Sequence, residues 1–131
     1  MKTLTLHPTP DHGQALADLL TRLGATAQAN GDWLLNCGST SETVLIVVLP
    51  ARNDAALTTA VGAAAAQGQR VIGVWAPGLS GDLPQSLADY GGAAVGWSAA
   101  ALHGVICGEA SVWEDAGGGE RAGQFPKRNV C

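Results

Sequence analysis

The run Lys2 to Leu6 alternates polar and apolar positions and stops at Pro8, which predicts a first β-strand. Beyond it, Ala15, Leu16, Leu19, Leu20 and Leu23 recur at helical spacing and form one apolar stripe. Asp11 is suited to cap that helix and Gly24 to end it. The following segment, ATAQANGDWLLNCG, reads either as a single strand or as a hairpin turning at Asn30-Gly31. TVLIVVLP is a continuous, mostly β-branched run, the pattern of a strand buried on both faces of a parallel sheet. A helix should follow, capped by Asn53 or Asp54, running to about Gln67 and ending at Gly68. QRVIGVWAP repeats the buried-strand pattern. Next come a loop, a short helix begun at Pro84, a brief strand at AAVGW and a closing helix at SAAALHGVICG.

Strands alternating with helices imply α/β architecture with a parallel sheet. The expected fold is a flavodoxin-like three-layer sandwich of about five mainly parallel strands over residues 1–108. A Gly-rich C-terminal extension, residues 109–131, should follow, packed by Trp113 and Phe125. Strands at Thr3–Leu6, Val44–Leu49, Val71–Trp75 and Ala94–Trp97 should be parallel neighbours, because the helices between them require crossover connections.

Bulk properties narrow the function. The chain has 131 residues and 47% hydrophobic content, which suits one domain able to bury a core. A formal net charge of −4 argues against a general binder of nucleic-acid backbones. No apolar run is long enough to span a bilayer, so no membrane association is expected and a cytoplasmic location is the default. Cys37, Cys107 and Cys131 are distant, odd in number and free of C-x-x-C spacing, so they read as free thiols. With His7, His12 and His103 they suggest no metal site.

In an open parallel sheet, ligands bind beyond the carboxyl ends of the strands where the strand order reverses. That crevice should lie between the first strand and the one ending at Leu49. Three segments converge there: His7 to His12, with Pro8; Pro50 to Asp54, with Asn53 and Asp54; and the loop after Trp75. Backbone N–H groups at the helix start near Asp54 would favour an anionic ligand. Trp75 and Trp97 end strands nearby and are candidates for stacking on a base or, alternatively, for core packing. Neither a dinucleotide-binding G-x-G-x-x-G nor a P-loop is present.

One phrase goes further. The residues from Thr58 through Ala60, Val61, Gly62 and Gly68 to Val74 resemble T-x-E-[IV]-G-x-A-x-A-x-G-K-P-V-I-G-V of the nucleoside 2-deoxyribosyltransferase family. The related TIR-like domains share the layout of strand, polar loop, glutamate-bearing helix and strand. The resemblance implies an N-glycosidase acting on NAD or a nucleoside, in nucleotide salvage or bacterial defence. It also implies that Ala60 stands at the position of the family glutamate, and Gln69-Arg70 in place of Lys-Pro. An alanine supplies neither charge nor nucleophile at the oxocarbenium-like anomeric carbon. The scaffold is therefore expected to be inactive as written, needing no cofactor and taking NAD or a nucleotide as ligand. Small Gly62 and Ala63 would hold the helix close to the sheet. Alanine at 60 is also ordinary packing on a face shared with Ala56, Leu57, Val61 and Ala64. A non-catalytic TIR-like interaction or homo-oligomeric assembly module is the rival reading, and convergence in an unrelated flavodoxin-like domain a third.

Overall fold

The computed structural model describes residues 1–7, 13–37, 41–49, 55–76, 87 and 91–108. Their elements are β1 (Lys2–Leu6), α1 (Gly13–Leu23), β2 (Thr26–Ala27), β3 (Trp33–Leu35), β4 (Glu42–Leu49), α2 (Ala55–Ala66), β5 (Arg70–Trp75), β6 (Ala93–Val95) and α3 (Ala99–Cys107). The strands form one six-stranded mixed sheet in the order β2-β3-β1-β4-β5-β6. β1, β4, β5 and β6 pair in parallel, as expected, and between β4 and β5 the crossover is made by α2. β3 pairs antiparallel with both β1 and β2.

The ambiguous segment is thus a hairpin, which makes the sheet six-stranded and mixed rather than about five strands. Its turn is drawn in by Gln28, whose N–H donates to the Asp32 carbonyl, with Gly31 in the left-handed region at φ 93°. Asn30 Oδ1 accepts the Asp32 N–H, a local side-chain turn that reinforces the reversal.

Two apolar cores lie on opposite faces of the sheet, compatible with a three-layer α/β fold. On one face Leu16, Leu19, Leu20 and Leu23 of α1 and Leu102, Val105 and Ile106 of α3 meet Leu4, Val44, Ile46, Val48, Ile72 and Val74. On the other, Leu57, Val61 and Ala64 of α2 meet Leu45, Val47, Leu49, Val71 and Trp75, with Leu87 alongside. Burial of β4 from Val44 through Leu49 follows from this two-sided cover. Thr3 and Thr5 of β1 point away from α1 and remain half-buried, whereas Leu4 is fully enclosed.

Helix ends behave as their glycines predict. Gly24 and Gly68 take φ of 104° and 74°. In each case the next residue reaches back five positions, Ala25 N–H to Leu20 carbonyl and Gln69 N–H to Ala64 carbonyl, satisfying carbonyls the helix leaves open. Ser98 caps α3 by accepting the Ala101 N–H. The expected caps at Asp11, Asn53 and Asp54, the helix begun at Pro84 and the packing of Trp113 and Phe125 lie outside the described residues.

Two expectations are corrected. Gly62 and Ala63 do not bring α2 against the sheet. Gly62 faces open space, with nothing within 4 Å of where a Cβ would stand, and Ala63 is exposed. The close approach occurs at Gly73 of β5, where a Cβ would meet Leu49 Cδ1 at 2.6 Å and Leu87 Cδ2 at 2.9 Å. Cys37 and Cys107 are not free thiols: they form a disulfide, with Cα atoms 5.5 Å apart across 70 positions of sequence. The pairing follows from topology. β3 runs antiparallel to β1, so its C-terminal end lies at the edge where β1 begins, and α3 returns to the same edge.

Candidate functional site

The strand order reverses between β1 and β4, since β3 lies on the far side of β1 and β5 on the far side of β4. The ends of these strands define the predicted crevice. His7 follows β1 there, half-buried, its N–H donating to the Ile46 carbonyl at 2.9 Å. Ala76 closes the same edge on β5, its N–H donating to the Leu49 carbonyl at 2.7 Å. Pro8, Asn53 and Asp54 lie outside the described residues. Of the predicted site residues, only His7, Ala60 and Trp75 can be located.

Trp75 is fully buried on the α2 side of the sheet, in the cluster that contains Leu57, Val61 and Leu49. Its ring serves that core and presents no open face for stacking. Trp97, just beyond β6, is half-buried against the opposite core.

Ala60 lies in the second turn of α2, about 7.5 Å along the axis from Ala55 at about 1.5 Å per residue. It is half-buried and packs against the α2-side core. The expected shared face holds for Leu57, Val61 and Ala64 but not for Ala56, which is exposed. A shallow hollow of about 560 Å³ opens on α2, lined by Thr58, Gly62, Ala65 and Ala66. At about 100° per residue these four lie round the helix from Ala60, so the hollow is not the space a side chain at 60 would enter.

A polar cluster unforeseen in the sequence occupies the opposite edge. Lys2, Glu42 and Arg70 start β1, β4 and β5 and project to the α1/α3 face. Lys2 is only 1% exposed, and its Nζ donates to Glu42 Oε1 at 3.0 Å. Arg70 grips the same carboxylate through Nε to Oε2 at 2.8 Å and Nη2 to Oε1 at 2.9 Å. It also donates to the carbonyls of Val105 and Ile106, at 2.7 Å and 2.6 Å, in the last turn of α3. Burial pushes the Glu42 carboxyl up, but hydrogen bonds and charge from Arg70 and Lys2 outweigh it and hold the group below the usual carboxylate range. Every carboxylate oxygen here is engaged by the protein itself, so the cluster acts as a clasp between strand starts and a helix end. The signal was present in outline: each charge begins a strand whose next same-face residues are apolar.

Beside the clasp, His103 Nε2 lies 3.5 Å from Cys107 Sγ, one helical turn away on α3. Among the described residues no three His, Cys, Asp or Glu side chains group as metal ligands, and no helix is long and apolar enough to cross a membrane. Comparison with family models, with curated proteins and with solved structures finds no match to this chain.

Proposed function

We propose that this chain is a nucleotide- or NAD-binding scaffold of the flavodoxin-like, N-glycosidase type, inactive as written because alanine stands at position 60. One observation carries the reading. The helix that resembles the family's glutamate-bearing helix directly follows β4, one of the two strands flanking the reversal of strand order. Ala60 sits within two turns of that helix start, and helical side chains lean toward the N-terminus. His7 ends the other flanking strand. The proposed setting is nucleotide salvage or NAD-depleting defence, of which the chain would be a remnant.

The test is direct. Titration with NAD or a deoxynucleoside should raise the melting temperature saturably. Ala60→Glu should then release nicotinamide or free base above the rate of the parent protein. An Ala60→Glu protein that stays folded, binds neither ligand and releases no base removes this reading.

A second reading rests on its own observation. α2 carries no charged residue, and Ala55, Ala56, Thr59 and Ala63 are exposed on it, beside the hollow that Thr58 and Gly62 help to line. Such a surface suits self-assembly. Sedimentation that shifts with protein concentration, and is abolished by Ala63→Lys, would establish it; a monomer at all concentrations would dismiss it.

A further inference from the structure

We infer that the Cys37–Cys107 disulfide is a thiol–disulfide exchange site, at which a small thiol or dithiol reductant attacks Cys37 and His103 assists Cys107 as the leaving sulfur. The two cysteines are half-buried at the rim of the larger core, and His103 is exposed, so the site reaches solvent. A disulfide sulfur carries no proton. The 3.5 Å approach of His103 Nε2 to Cys107 Sγ is therefore favourable when the ring N–H donates to sulfur. That contact singles out one of the two sulfurs. A thiol whose developing charge is stabilised leaves faster, which directs attack to the other.

The step balances without a further reagent. The reductant thiolate forms a bond to Cys37 Sγ, the Cys37–Cys107 bond breaks, and its electron pair goes to Cys107 Sγ. The His103 ring N–H stabilises the departing thiolate by its hydrogen bond, and the thiolate then takes a proton from solvent. With a dithiol, the second thiolate attacks its own sulfur in the mixed disulfide and releases Cys37. The dithiol is oxidised to its disulfide and the protein pair is reduced to two thiols.

The surroundings make reduction local rather than global. Cys37 follows β3, whose hairpin with β2 is the edge of the sheet. Cys107 ends α3, which Arg70 holds independently through the carbonyls of Val105 and Ile106. Breaking the disulfide therefore loosens the hairpin, which keeps its pairing with β1 and the packing of Leu35, and leaves the helix docked. Two cores on two faces of the sheet keep a domain of this size folded without a covalent tie.

The experiment uses the full chain with Cys131→Ser, to leave one cysteine pair. The folded, oxidised protein is treated with glutathione, quenched, alkylated and mapped by mass spectrometry. The mixed disulfide should form on Cys37 and the alkyl group on Cys107. His103→Ala should slow reduction about tenfold, the worth of one ordinary hydrogen bond to the leaving sulfur, and even out the two positions. His103→Gln, which keeps an N–H donor, should restore both. Hydrogen exchange on reduction should quicken in residues 26–35 and stay slow in the last turn of α3. Reduction only after unfolding in urea, a mixed disulfide on Cys107, or no response to His103→Ala overturns the assignment.

Discussion

At the scale of single residues, the two glycines of the α2–β5 unit have opposite roles. Gly62 sits in mid-helix with nothing around its missing Cβ. Alanine there keeps every contact and removes backbone freedom from the unfolded chain, so Gly62→Ala should stabilise by about 1 kcal/mol. Gly73 is enclosed by Leu49 and Leu87, both fully buried. Gly73→Ala must displace those side chains and should cost about 1–3 kcal/mol. Paired urea unfolding curves with opposite shifts in midpoint would verify both. The sequence marks both positions as glycine. It does not show which one faces a wall, because the answer depends on a leucine 24 positions earlier and another 14 later.

At the scale of elements, Glu42 joins three strand starts and one helix end. Removing the carboxylate leaves Lys2 and Arg70 charged and without their shared partner. Glu42→Ala should therefore cost about 3 kcal/mol. The loss should show as faster amide exchange in the last turn of α3. The pH dependence has a definite sign. The folded pKa of Glu42 is lowered, so between the folded and unfolded values the unfolded chain binds more protons. The stabilisation is complete above the ordinary carboxylate value and is lost as pH falls through the folded value. Glu42→Gln should lower stability at neutral pH, and its deficit should shrink toward zero in acid. Urea midpoints of both proteins across that range would check this.

At the scale of the whole molecule, the disulfide joins the edge hairpin to the last helix and closes 70 positions of chain. On loop-closure grounds, Cys37→Ala with Cys107→Ala should lower stability by about 4 kcal/mol. That corresponds to a melting temperature lower by on the order of 10 °C, with a single cooperative transition retained. A calorimetric scan measures this. A protein that loses its transition altogether would show that the two cores do not suffice.

The elements themselves were legible because they depend on neighbours in sequence. The Leu16–Leu23 stripe, the apolar run of β4 and the helix-ending Gly24 and Gly68 each follow from spacing or backbone freedom within a turn or two. Parallel pairing of β1, β4, β5 and β6 was legible too, from the alternation of buried strands with helical stretches along the chain. For the candidate site the sequence carries only an expected location, the strand ends of β1 and β4 and a helix bearing Ala60. The phrase around Ala60 says what residue type stands there, not what surrounds it. Only the tertiary structure decided that Trp75 is core, that Gly73 rather than Gly62 makes the close contact, that Lys2, Glu42 and Arg70 share one edge, and that Cys37 meets Cys107. Each of those depends on register between segments far apart in sequence, and the alternation along one segment fixes which face a side chain takes, not which residue of a distant segment it meets.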